Sequence, residues 1–270
     1  MSERLFDATL ANVSFNSLAS ELVLVDIVEK PAEMDTQTAP LALREGLLLI
    51  RNHRKSLSVE LRFAIRTQDV VRRAEVRDMV AAWARNGGML KVNYRPDRVL
   101  YVKNDNAPSL DSSLKWTNLI TLTLTAYEIP YWQSEKLSVF PFETGSVGDG
   151  EYWSAGLLHM DGDTGSARVE AMIQHIGDDV LDRMRVSCGS TFFEFEQIDA
   201  FPGDVIVIAY NDGVLTVDKL GEHSTNGSLL RVRTAESSDD LLAASGEDNQ
   251  ITVSANQKLK GQITARGLWR

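Results

Sequence analysis

The stretch ITLTLTAYEIPYWQSEK, Ile120–Lys136, carries the pattern on which the fold turns. Ile120, Leu122, Leu124 and Ala126 share one face of an extended strand, and Thr121, Thr123 and Thr125 share the other. That is the period-2 signature of a strand with one buried side. Beyond Ala126 the pattern inverts. Tyr127, Ile129 and Tyr131 continue the Thr side, while Glu128 falls on the Leu side. Either a bulge inserts here, or the strand leaves one core and begins to serve another. Pro130 has no N–H to give to a ladder, so further pairing is limited. Tyr127, Ile129, Pro130, Tyr131 and Trp132 are therefore expected at a junction between two domains.

Upstream, Glu21–Val28 reads as a strand. Lys30–Pro40 (KPAEMDTQTAP) has two prolines and no periodicity, and is expected as a mobile loop or arm. Leu47–Ile50 is a short apolar strand. Leu57, Val59, Leu61, Phe63 and Ile65 alternate with Ser58, Glu60, Arg62 and Ala64, a half-buried strand. One helix is expected, over 67–86, with Thr67 as N-cap and Asp69 in the first turn. Val76, Met79, Val80 and Trp83 form its apolar stripe. Asn86-Gly87-Gly88 ends it. A hairpin follows: Met89–Tyr94, a turn at Arg95-Pro96-Asp97, then Arg98–Lys103. Asn104–Lys115 reads as a loop.

The second half reads as almost entirely β. Pro141–Gly150 (PFETGSVGDG) breaks the pattern. Strands are expected at Ala167–Ile176, Val180–Cys188, Thr191–Gln197, Asp204–Tyr210, Val214–Lys219, Ser228–Thr234, Gln250–Ser254 and Gly261–Trp269. Short strands with regular turns point to a sandwich. Asp212-Gly213 is a tight-hairpin signal, and VIVIAY, apolar on both faces, is expected to lie centrally.

At 270 residues the chain has room for two domains with proper cores. Apolar content of 43% and charged content of 24% are those of an ordinary globular protein. The net charge of −10 argues against nucleic acid as a ligand, although an acidic channel would keep passing DNA from sticking. The single cysteine, Cys188, excludes an internal disulfide and a Cys-based zinc site. No secretory h-region opens the sequence, and no apolar run reaches the length of a membrane span.

Several constellations invite a chemical reading, each beside a plainer one. His53, His159, His175 and His223 are scattered and stand at no ligand spacing. Asp161-Gly162-Asp163-Thr164-Gly165 has the start of a calcium loop without its closing ligands, and reads as a β-turn. Glu194 and Glu196 share one face of a strand about 7 Å apart, within reach of glycosidase geometry, yet a wet strand face over Phe193 and Phe195 explains them as well. Cys188 reads as a buried structural thiol. Arg72, Arg73, Arg77 and Arg85 form a basic strip on the helix. It is either a solvated face with pairs such as Asp69–Arg73, or a subunit contact, for which Arg72, Arg73 and Arg77 are the candidates.

The ordered set LSVELRFAI, RAEVRDMVAAWA, LKVNYRPDRVLYVKND and IPYWQSE, then GDVIVIAYNDGVLTV, SDDLLAASGEDNQITVS and ITARGLW, resembles the distal tail protein (Dit) of long-tailed, non-contractile bacteriophages over nearly its whole length. The closing segment resembles the family's Leu…Gly-x-Asn-x-Ile stretch at Leu242, Gly246, Asn249 and Ile251, although Ala-Ala-Ser intervenes after Leu242. The resemblance implies a mainly β protein with one α-helix and two β-sandwich domains. Residues 1–133 would form a ring-forming domain with the helix and an extended hairpin or arm, and residues 134–270 an outer, galectin-like domain. It further implies a homo-hexameric ring at the virion tail tip, or baseplate, assembled in the bacterial host cytoplasm. The ring would join the tail tube protein to the tail-associated hub protein, with the tape measure protein as a further partner. Viral DNA would pass through without sequence-specific binding. No cofactor, metal, membrane or enzymatic activity is implied. Two other functions stand beside this one: a carbohydrate-binding sandwich involved in host-surface recognition, with Trp153, Tyr152 and Tyr210 as candidate platforms, and a glycan hydrolase using Glu194 and Glu196.

Overall fold

A computed structural model describes residues 6–40, 47–104, 106, 109–111, 118–211, 213–221 and 225–270. The chain divides into two units, Met1–Trp132 and Gln133–Arg270. The first carries β1 (Ala8–Leu10), β2 (Val13–Ser14), β3 (Leu22–Lys30), β4 (Met34–Pro40), β5 (Leu47–Arg54), β6 (Leu57–Ile65), helix α1 (Val70–Ala84), β7 (Gly88–Val92), β8 (Arg98–Asn104), β9 (Ser109–Asp111) and β10 (Asn118–Ala126).

The main sheet of this unit runs β2-β1-β7-β8-β10-β6-β3. Its axis is the pair β6–β10, antiparallel over the full length of both strands, from Leu57↔Ala126 to Ile65↔Asn118. The alternation predicts the faces correctly: Leu57, Val59, Leu61, Phe63 and Ile65 are buried opposite Leu122 and Leu124. Phe63 packs against Phe15 (ring centroids 5.5 Å apart) and edge-on against Trp83 (6.3 Å), which brings the helix onto the sheet. On α1, Val76, Val80 and Ala84 are fully buried, while Met79 and Trp83 lie half-buried at the edge of the stripe. The indole N–H of Trp83 donates to the Val13 carbonyl at 2.9 Å.

The helix is shorter than the expected span 67–86, and its cap is Asp69 rather than Thr67. The Asp69 carboxylate accepts from the N–H groups of Val71 (2.8 Å) and Arg72 (3.3 Å). A carboxylate answers the orphan N–H groups and the positive end of the dipole together. Thr67 acts one step earlier, its hydroxyl accepting from the Asp69 N–H at 3.3 Å.

Two expectations in this unit fail. Met34–Pro40 is not a loop: it is a strand that pairs antiparallel with β5, with a register shift between Gln37 and Thr38. Its sequence lacks alternation because backbone pairing, and not a buried face, defines it. The inverted alternation after Ala126 also has no strand beneath it. β10 stops at Ala126, and residues 127–131 follow no ladder, so side-chain faces there are not set by period 2. Within the expected loop Asn104–Lys115, Ser109–Asp111 pairs with β10, and much of the remainder lies outside the described residues.

Strand β11 (Trp132–Ser134) spans the division between the units. The second unit continues with β12 (Ser138–Glu143), β13 (Gly145–Gly148), β14 (Glu151–His159), β15 (Ser166–His175), β16 (Leu181–Cys188), β17 (Thr191–Ala200), β18 (Val205–Asn211), β19 (Val214–Leu220), β20 (Gly227–Ser228), β21 (Leu242–Ala244), β22 (Asp248–Ala255), β23 (Leu259–Ala265) and β24 (Leu268–Trp269). One sheet runs β12-β23-β15-β18-β19-β20, with β21 on β15; the other runs β13-β14-β22-β16-β17. They face each other across a shared apolar layer. Ile173, Ile206, Ile208, Val217 and Ile263 are buried in the first, and Val186, Phe193, Phe195, Ile251 and Val253 in the second. Gly156 on β14 leaves the room that the Phe140 ring on β12 fills; a Cβ there would lie 2.3 Å from that ring.

Three sequence expectations change here. Pro141 sits inside β12 and does not break it, because β12 is an edge strand and Pro141 pairs with Gln262 on one side only. β13 and β14 then follow within and after the glycine-rich segment. The expected strand Ser228–Thr234 reduces to Ser228 in β20 and a 3-10 turn at Leu230–Val232. Gly261–Trp269 is interrupted at Arg266-Gly267, between β23 and β24. The β18–β19 hairpin forms with Asn211 opposite Val214 and Gly213 at φ +78, while Asp212 lies outside the described residues. β18 is internal to its sheet, yet Ile206 and Ile208 are buried while Val205 and Val207 are only half-buried.

Gly87 provides a local test of the helix stop. It has φ +63, and a Cβ would fall 2.1 Å from the Val102 carbonyl oxygen on β8. Gly87→Ala is expected to destabilise the first unit by about 2 kcal/mol or more, through strain and forced displacement of β8, read as a lowered urea midpoint.

Candidate functional site

At the end of β3 a single carboxylate gathers four donors. The Glu29 carboxylate accepts from the Tyr94 hydroxyl (2.7 Å), from Arg95 Nε (2.9 Å) and Nη2 (3.0 Å), and from the indole N–H of Trp132 (3.1 Å). The Arg95 guanidinium also lies over the Trp132 ring, 5.2 Å from its centroid. Glu29 and Arg95 retain 21% and 22% side-chain exposure, so the pair is shielded without being sealed. Burial pushes the Glu29 carboxyl up. The hydrogen bonds from Arg95 and Tyr94 overcome that and hold it below the usual carboxylate range. Burial, reinforced by the bond to Glu29, raises the Tyr94 hydroxyl well above its ordinary value. The β7–β8 turn at Tyr94–Arg98 borders only an open concavity of about 240 Å³, too shallow to enclose a ligand.

The junction candidates separate on this geometry. Trp132 is fully buried and fixed by Glu29. Tyr131 is half-buried beneath Arg54, whose guanidinium lies 5.0 Å from the ring centroid. Arg54 closes β5, so the base of the β4–β5 hairpin is held against the segment that leaves β10. Ile129 and Pro130 are half-buried, and Tyr127 is 53% exposed. Among the described residues, β4 and β5 pair with no other strand. An isolated two-stranded hairpin is marginal in water. No sequence signal singles out Glu29, which follows an apolar strand and meets partners 65, 66 and 103 residues away.

The helix arginines have partners within the chain. Arg72 Nε donates to Glu21 at 3.1 Å, and its Nη1 donates to Glu75 at 3.0 Å; the first of these bonds holds the helix start against the residue preceding β3. Arg73 Nε donates to the Thr67 carbonyl at 2.7 Å. Arg77 donates to its neighbour Asp78 at 2.8 Å. Arg72 and Arg77 thus stand beside carboxylates of their own chain.

In the second unit the chemical candidates do not converge. Glu194 and Glu196 lie on β17 opposite Arg185 and Arg183 of β16. Trp153 on β14 is 48% exposed, whereas Tyr152 is half-buried. Tyr210 braces a loop: its hydroxyl accepts from the Leu241 N–H at 3.1 Å, Arg168 lies over its ring, and burial pushes its hydroxyl up to about 12. His159 is exposed and bonded to Asp248 at 2.7 Å, and His175 is buried. The His53 side chain and His223 lie outside the described residues. In the Asp161–Gly165 turn the Asp163 carboxylate accepts from the Arg270 N–H at 2.9 Å. Burial pushes the Cys188 thiol up to about 12, which leaves it inert as a nucleophile.

No protein-family model and no curated protein matches the chain. Solved structures do. The SPP1 Dit protein, described as a paradigm of the hub adsorption apparatus in Gram-positive infecting phages, superposes with a TM-score of 0.66 at 9% identity, covering 98% of this chain and 100% of that one. The chain has the fold of a phage distal tail protein. A component of the phage p2 baseplate in its activated conformation with Sr aligns over 97% of this chain and 98% of its own, at 8% identity and a TM-score of 0.47. The Dit-like fold accounts for the mainly β composition and for the one α-helix and two-sheet second unit seen among the described residues, as expected from the sequence.

Glu29→Ala is expected to lower stability by about 2 kcal/mol, since it removes the carboxylate to which Tyr94, Arg95 and the Trp132 N–H donate. The carboxyl is held below its ordinary value in the folded state. Its contribution is therefore complete above about pH 4.3 and is lost as pH falls through the lower folded value. Urea midpoints measured from pH 7 to pH 3 should fall less steeply in Glu29→Gln than in the wild type.

Proposed function

We propose that this chain is a structural, non-enzymatic subunit of a phage tail tip, or baseplate. It forms a homo-hexameric ring that joins the tail tube protein to the tail-associated hub protein, and the tape measure protein and viral DNA pass at its centre. The observation that carries this reading is the match of fold across both units to the Dit protein, with almost no residue of either chain left over. The net charge of −10 agrees with a conduit that does not retain DNA. In this reading the first unit builds the ring. The β4–β5 hairpin reaches a neighbouring copy, which supplies the support that an isolated hairpin lacks. Arg72, Arg73 and Arg77 lie at the subunit boundary, and Tyr127, Ile129, Pro130, Tyr131 and Trp132 form the junction into an outer, galectin-like unit. Assembly takes place in the host cytoplasm.

A second reading rests on Trp153. Its exposed ring stands in register with Ser254 of β22 and, across the sheet, Arg185 and Glu194. An aromatic plane beside hydroxyl and charged groups suits a saccharide on the host surface.

Native mass spectrometry and negative-stain images of the purified chain test the first reading: six-fold rings with an open centre are expected. A stable monomer at high concentration that also fails to join tail tube and hub proteins would overturn it. Removing residues 34–54 should leave both units folded by circular dichroism and shift the mass to monomer; unchanged rings would show that the hairpin is not the contact. Glycan-array binding lost in Trp153→Ala would establish the second reading, and an array without signal would dismiss it.

A further inference from the structure

His175, at the end of β15, is 1% exposed, and neither ring nitrogen has a hydrogen-bond partner. A neutral imidazole carries one donor and one acceptor, so its polar groups lie buried and unsatisfied. The backbone of the same residue closes a turn. The His175 N–H donates to the Asp204 carbonyl and the Gly203 N–H to the His175 carbonyl, both at 2.9 Å. The turn Phe201-Pro202-Gly203-Asp204 is in turn held by its own carboxylate, since Asp204 Oδ2 accepts from the Phe201 N–H at 2.9 Å.

We propose that His175 is an acid-sensitive latch, whose protonation reshapes the Ala200–Asp204 turn and loosens it from β15. An imidazolium has two N–H donors and needs acceptors for both. The groups that favour a charged ring are the carbonyls of Phe201 and Ala200 and the carboxylate of Asp204; Ala200 ends β17, and the other two bound this turn. Bonding them to the ring competes with the bonds that now close the turn. Gly177 comes close to the ring: a Cβ added there would lie 3.0 Å from Nε2 and 2.5 Å from the Gln257 side chain, so a side chain at this position would crowd the imidazole. Among the charged groups, the Asp204 carboxylate favours a cation on the ring, and burial outweighs it. Lys219 of β19 places its amine 2.6 Å from the Asp199 carbonyl, and Lys258 beside β23 is paired with Glu143 of β12 at 2.6 Å. Asp204 is the carboxylate acting on the ring; Asp178 and Asp179 follow Gly177 in the chain.

Burial holds the imidazole below the ordinary histidine value, with the Phe201 and Ala200 carbonyls and Asp204 opposing it. Above about pH 6.5 the closed and open forms are both neutral at this site, and pH has no leverage. Below that value the open form takes up a proton more readily, so acid favours opening.

The test uses the full chain, with NMR titration of the His175 ring and amide exchange at Gly203 between pH 7 and pH 5. The expected result is a loss of Gly203 protection of at least about tenfold, after correction for intrinsic rates, with a midpoint that coincides with the imidazole titration. His175→Phe, which fills the site without a titrating group, should keep its protection constant. Should that variant fail to fold, His175→Gln serves the same purpose. Equal loss of protection in wild type and variant, or titration of His175 with the turn still protected, would overturn the proposal.

Discussion

The Glu29 carboxylate is the constraint on which the first unit most depends. It joins the end of β3, the β7–β8 turn and Trp132, three places that local sequence does not bring together. Half-buried charge is stabilising only when its lone pairs are occupied, and here four donors occupy them. The cluster also explains why Trp132 is buried although it follows a segment with no regular structure. Its indole has an acceptor waiting, and Arg95 covers its face. The sheet supplies the frame, but this carboxylate decides where the chain leaves it.

Legibility followed the source of order in each segment. Leu57–Ile65 and Ile120–Ala126 were readable because each has one buried and one open face, so period 2 is written into composition. The helix stripe was readable for the same reason at period 3.6, though Thr67 and Asp69 both suit a cap and only the geometry separates them. Met34–Pro40 escaped because its pairing lies in the backbone. Glu151–His159 escaped because Trp153 and Leu157 point outward, which erases the contrast between faces. Pro141 misled because a proline on an edge strand looks, in sequence, like a proline in a loop.

Candidate sites were less legible than the fold. Charged pairs on a strand, such as Glu194 and Glu196, advertise chemistry by spacing alone, yet each stands opposite an arginine on β16. Glu29 advertises nothing, since its importance arises from partners far along the chain. The arginines of α1 carry a double meaning of the same kind. A basic strip in the sequence becomes, in space, a set of groups engaged with Glu21, Glu75, Asp78 and the Thr67 carbonyl. A partner that used them would have to compete with those contacts or share them.

The pairing of β12 with β23 has a consequence for how the protein is made. Among the described residues, the first full strand of the second unit finds its one sheet neighbour in nearly the last. Closing so long a loop is slow, and it must wait until that late segment has emerged from the ribosome. The path β2-β1-β7-β8-β10-β6-β3 of unit one draws its strands from β1 to β10, so that sheet can form while the second unit is still being translated. During that interval β12 presents an unsatisfied edge, with Pro141 within it to discourage pairing with another nascent chain.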